Sequence, residues 1–167
     1  MEKRKGQSAM EYLMTYGWAI LVIIIVIAVL FYIGVLNPRN VTPSSCTFPP
    51  GITCSSYKLY ASNGNLDLRI GQATGHTINV TNITCTQETG TPTTYDTIGL
   101  IVPQGEQRWI AGGDSGKTVK CRNSAGTQLT GGTLGDVYRG KLWIIYNETD
   151  TGINRTVVGD IATKFEQ

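Results

Sequence analysis

The chain has 167 residues, with 14 Lys and Arg against 12 Asp and Glu, and Glu2, Lys3, Arg4 and Lys5 between them hold the whole surplus of +2. The remainder is charge-balanced, which excludes the basic footprint of a nucleic-acid binder. Hydrophobic residues are concentrated near the N-terminus, whereas everything after Asn37 is rich in Gly, Thr, Ser and Asn, so two different solvents are implied.

Tyr12 to Leu36 reads YLMTYGWAILVIIIVIAVLFYIGVL, with no acid or base other than tyrosine. About 20 helical residues rising roughly 1.5 Å each cross a bilayer core, and this run is long enough. A core helix of a water-soluble domain is apolar along one stripe, but this one is apolar all round, as lipid or a helix-packed filament core demands. Lys3, Arg4 and Lys5 ahead of it keep the N-terminus in the cytoplasm and send the rest outside. Tyr12, Tyr16 and Trp18 form an interfacial belt, and Gly17 and Gly34 weaken the helix locally. The run is too long for an ordinary secretory signal core and no small-residue cleavage site follows it; Val35 to Pro43 is VLNPRNVTP, where Pro38 stops the helix.

Glu11 stands at the threshold of this run. A carboxylate costs on the order of 2.5 to 3.5 kcal/mol at the bilayer centre and less near the interface, so it needs a partner or a purpose. The residues KRKGQSAMEYL, Lys3 to Leu13, resemble the class III signal peptide of archaeal type IV pilins. The resemblance implies that residues 1–6 are a signal removed by a prepilin peptidase between Gly6 and Gln7, on the cytoplasmic side. Glu11 then becomes the fifth residue of the trimmed chain, the place where such subunits carry their assembly glutamate. Residues four apart share a helix face, so the new amino group on Gln7, or that of a neighbouring subunit, can meet Glu11. The resemblance further implies partners: further copies of the chain in a helical filament, an assembly ATPase, a membrane platform protein, and the membrane itself before assembly. Surface adhesion is the implied role. The competing expectation is a signal-anchored surface binding module that keeps Met1 to Gly6 and does not polymerise.

The fold class expected is α+β: a hydrophobic helix over 7–37, a linker with a first cysteine loop over 38–56, and an extracellular β domain over 57–167. Leu66, Leu68 and Ile70 alternate with polar residues, as do Ile78 and Val80, which suits half-buried strands. SNGN, Ser62 to Asn65, is a hairpin turn between Tyr57–Ala61 and Leu66–Ile70. Further strands are expected at Ile98–Val102, Gln107–Ile110, Lys117–Cys121, Lys141–Asn147 and Asn154–Thr163. Seven or so short strands with Gly, Thr, Asn and Pro between them predict an antiparallel sandwich, immunoglobulin-like in architecture.

All four cysteines fall in the part expected outside, where an even count reads as two disulfides with three possible connectivities. The favoured one joins Cys46 to Cys54 across Pro49, Pro50 and Gly51, and Cys85 to Cys121. A zinc site would need closer cysteine pairs, and His76 is the single histidine. Five of the nine asparagines lie in glycosylation sequons: Asn40, Asn79, Asn82, Asn147 and Asn154, each followed two residues later by Thr.

Ala111 to Thr118, AGGDSGKT, matches a relaxed phosphate-binding loop. Such a loop must open a helix after a strand, and TVKCRNSAGT, which follows, does not read as a helix. His76 sits in a turn-like ATGHT with solvent exposure as its default. No Ser-His-Asp arrangement or carboxylate pair stands out, so neither catalysis, a cofactor nor a metal is expected.

Overall fold

The computed structural model describes residues 3–34 and 43–167. The chain divides into two compact units, Met1–Val41 and Thr42–Gln167. The first is one helix, α1 (Lys3–Tyr32). Within it Met10–Tyr32 has a mean hydropathy of 2.7 over 23 residues, long and apolar enough to cross a membrane. Its large side chains are exposed on every side, from Trp18 and Ile20 through Ile24 to Phe31. The helix stops before Pro38 is reached. Gly34 takes a φ of 73° and its N–H bonds to the Phe31 carbonyl at 3.1 Å, a left-handed terminator that glycine adopts without a Cβ penalty. The expected extension to residue 37 runs into residues outside the described ones.

The second unit is built from β1 (Ser45–Thr47), β2 (Ile52–Tyr60), β3 (Asn65–Gln72), β4 (Ile78–Thr86), β5 (Asp96–Val102), β6 (Gln107–Ala111), β7 (Val119–Arg122), β8 (Val137–Glu148) and β9 (Asn154–Glu166). It begins at Thr42, so the cysteine loop that the sequence assigns to a linker belongs to the β domain, and the expected start at residue 57 falls inside β2. The apolar alternation does its expected work: in β3 Leu66, Leu68 and Ile70 are buried while Asn65, Asp67 and Arg69 between them are not. Facing them from β4 and β8 are Ile78, Val80, Ile83, Leu142 and Ile144, each fully buried. Complete burial of one such side chain stabilises by about 1.5 to 3 kcal/mol, so this shared core decides which way every strand faces.

The strands do not form the expected antiparallel, immunoglobulin-like sandwich. They close into a six-stranded barrel in the order β9, β2, β3, β7, β4, β8 and back to β9. The long side is a hairpin, β8 on β9, in unbroken antiparallel register from Val137↔Lys164 to Asn147↔Asn154. Two short parallel joints complete the ring: Leu59↔Phe165 and Tyr60↔Glu166 between β2 and β9, and Cys85↔Cys121 and Thr86↔Arg122 between β4 and β7. A two-sheet sandwich would leave sheet edges unpaired, and the last residues of β9 together with the short β7 cover them instead.

One disulfide lies at a joint and the other near the β9 edge. Cys46–Cys54 ties β2 to β1, which pairs with β9 through Cys46↔Ile161, so the bridge fastens two strands that follow one another along the same edge of β9. Cys85–Cys121 spans the β4–β7 joint and is completely buried. Beside it, Arg122 is buried, donates from Nη2 to Asp96 Oδ1 of β5 at 2.7 Å, and donates from Nε to Thr84 Oγ1 at 3.3 Å. The Arg122 carbonyl accepts from the Tyr138 hydroxyl at 2.7 Å, and burial pushes that phenol well above its ordinary pKa.

The remaining strands β5 and β6 complete neither the ring nor each other. Each pairs on one edge, β5 with β4 and β6 with β3, and no ladder joins the two. A seam therefore runs beside the short β7 joint.

Candidate functional site

In α1, Glu11 is exposed and is the one acid inside the apolar span. Thr15 donates its hydroxyl to the Glu11 carbonyl at 2.8 Å, and the Tyr12 and Tyr16 rings lie 4.5 Å apart on the neighbouring turn. Among the described residues the Glu11 carboxylate has no hydrogen-bond or ion-pair partner, so its compensation has to come from outside the chain's own described contacts. Gly6 and Gln7 fall in the first turns of the same helix.

The sequons converge. Register places Asn79 of β4 opposite Asn147 of β8, and Asn147 opposite Asn154 of β9, so three of these asparagines stand in one row across adjacent strands. Asn147 Nδ2 donates to Asn154 Oδ1 and to the Gly152 carbonyl, both at 3.0 Å. Asn82 follows on β4, opposite Ile145. Asn40 lies outside the described residues.

At the same end of the barrel the loop between β3 and β4 meets the β8–β9 turn. His76 Nδ1 contacts the Asp150 carboxylate, 74 residues away in sequence, and the ligand atoms of His76, Glu148 and Asp150 lie within 4.8 Å of one another. This grouping was invisible in the sequence, where His76 read as a lone solvated side chain. Its donors are already engaged: the buried Glu148 accepts from the Thr151 hydroxyl and from Arg155, which hold its carboxyl below the usual range. The Arg155 guanidinium also sets a positive charge against the Glu148 carboxylate that a cation would need.

His76 is raised above its ordinary 6.5, chiefly by the hydrogen bond to Asp150, and Asp150 is lowered below its ordinary 3.8 by the same bond. The His76 contribution to stability is therefore complete below about pH 6.5 and is lost as pH rises through the higher folded value. The Asp150 contribution is present above about pH 3.8 and is lost as pH falls through the lower folded one. An NMR titration of the His76 ring is expected to show a midpoint above 6.5 that moves back toward it in Asp150→Asn. An unchanged midpoint in that variant would refute the pairing.

Ala111 to Thr118 forms the turn between β6 and β7. A 3₁₀ turn, Gly113–Ser115, is closed by the Gly112 N–H to the Lys117 carbonyl at 2.8 Å, and β7 follows rather than a helix. Without a helix N-terminus behind it, Lys117 has no cradle of converging amides to complete.

No protein-family model, curated protein or solved structure matches the chain. Its functional reading therefore rests on its own residues: an apolar span exposed on every side, one carboxylate near its start without a partner among the described residues, and a closed β barrel stapled by two disulfides. Sequence reasoning singled out the helix, Glu11 and the cysteines; it missed the buried Arg122–Asp96 pair and the β5–β6 seam, which depend on partners far apart in the chain.

Proposed function

We propose that the chain is a structural subunit of an archaeal type IV pilus or a similar surface filament. A prepilin peptidase removes residues 1–6, the helix from Gln7 onward waits in the membrane, and an assembly ATPase with its membrane platform protein packs that helix into a filament core. The N-terminus faces the cytoplasm until then, the barrel faces outside, and surface adhesion is the role. The reading involves no catalysis, cofactor or nucleic acid.

The observation that carries it is the Glu11 carboxylate, without a partner among the described residues, inside the otherwise charge-free span Met10–Tyr32, whose large side chains are exposed on every side. A plain membrane anchor gains nothing from that charge, whereas a subunit that must dock beside another's amino terminus gains register. Two disulfides suit an oxidising exterior, and the described sequons all lie on β4, β8 and β9, a surface on which glycans would coat the filament.

Mass spectrometry of the native N-terminus tests the proposal. Chains recovered from sheared surface filaments are expected to begin at Gln7. Detection of only the untrimmed chain, retained in membranes, would instead establish the signal-anchored binding module.

A further inference from the structure

A cleft of about 490 Å³ opens where the β5–β6 seam meets the turn after β6, within the range of small-ligand sites. Arg69 and Trp109 face each other across β3 and β6 in register, and Gln107 follows two residues along β6 on the same face. Arg108 and Leu100, the latter from β5, line the seam side, and Asp114 comes from the turn. Gly113 packs against the indole so closely that a Cβ there would overlap its ring, which fixes Trp109 in the cleft wall.

The polar groups in this cleft are unspent. Arg69 Nε is buried with no hydrogen-bond partner, and among the described residues no carboxylate forms an ion pair with it. The side chains of Gln107 and Asp114 likewise have no hydrogen-bond partner among the described residues. Arg108 has only a long, exposed contact with Glu106 at 3.4 Å. Ser115 is the exception, its hydroxyl being bonded to the Gly112 carbonyl within the turn. A half-buried guanidinium that no protein acid answers is costly unless a ligand carboxylate answers it, and two arginines offer the forked donors that such a group takes up. An indole beside them presents a flat apolar face of the kind that receives the C–H face of a sugar ring, while Asp114 and Gln107 supply an acceptor and an amide for hydroxyls. The acid in the lining argues against a simple anion hole and for a ligand that carries both a carboxylate and hydroxyl donors.

We propose that this cleft binds an acidic saccharide, its carboxylate held by Arg69 and Arg108, its ring against Trp109 and its hydroxyls on Asp114 and Gln107. The site belongs to the barrel alone, so it stands or falls independently of filament assembly.

The test follows the indole N–H NMR signals of Trp18, Trp109 and Trp143 in the full chain in detergent micelles, titrated with glucuronate, methyl glucoside, acetate and an acidic dipeptide. Glucuronate is expected to shift the Trp109 signal saturably and leave the other two in place. Methyl glucoside and acetate should each need at least about ten times the concentration, since a charge-assisted hydrogen bond or the ring contact is then missing. Arg69→Gln should weaken glucuronate binding about tenfold or more, and Arg108→Gln, on an exposed side chain whose loss leaves the core intact, should weaken it as well. The absence of a saturable Trp109 shift, equal potency of acetate or the dipeptide, or parental affinity in Arg108→Gln would overturn the proposal.

Discussion

Replacing Glu11 by alanine is expected to abolish filament formation while leaving membrane insertion and the barrel intact. The substitution makes the span from Met10 to Tyr32 wholly apolar, so insertion becomes easier by up to a few kcal/mol. In the proposed filament the same change would strand the neighbouring amino terminus, and breaking a buried ion pair by deleting one partner costs about 3 to 5 kcal/mol. At 1.4 kcal/mol per tenfold, that lowers each subunit's assembly constant by roughly 10² to several times 10³. Glu11→Gln keeps the shape and restores a neutral acceptor, so it should assemble poorly rather than not at all. Filament yield after shearing, compared with the amount of membrane-inserted precursor, separates these outcomes. Normal yield from both variants would remove the pairing role and with it the main support for the proposed function.

Loss of the Cys85–Cys121 bridge in a Cys85→Ala, Cys121→Ala double variant is expected to lower the stability of the barrel by about 4 kcal/mol, since the bridge closes a 36-residue separation. For a domain of this size that corresponds to a fall in Tm on the order of 15 °C. The position matters as much as the loop length. Only two residue pairs join β4 to β7, and the bridge, with the Arg122–Asp96 pair, is what holds that joint shut. The corresponding double alanine variant of Cys46 and Cys54, closing a separation of 8, should lose about 2.5 kcal/mol. Thermal melts of the oxidised parent and both variants provide the comparison. A melt of the Cys85, Cys121 variant no lower than that of the Cys46, Cys54 variant would refute the role of the buried bridge at the joint.

Local pattern made much of this legible. Alternation from Leu66 to Ile70 gave both the existence and the facing of β3, because a period of two is set by neighbouring residues alone. The sequence placed Lys117–Cys121 in one strand, and β7 starts only at Val119, since the turn before it is held by bonds from Gly112 and Ser115. Ser45–Thr47 carries no alternation that three residues could reveal, and it becomes β1 only because β9 offers it an edge. The His76–Asp150 contact and the cleft between Arg69 and Trp109 join residues that no spacing rule connects.

By itself the sequence determined the apolar helix, the position of Glu11, the strand faces and the oxidised character of the β domain. Each of these follows from composition or from contacts within a few residues. Only the tertiary structure decided that the strands close into a barrel rather than a sandwich, that Cys85–Cys121 sits at a two-pair joint of the ring, and that β5 and β6 leave a seam beside an arginine with no acid partner among the described residues. Closure depends on which edges are left free once every strand has turned its apolar face inward, and that is settled by the whole core at once, not by any one segment.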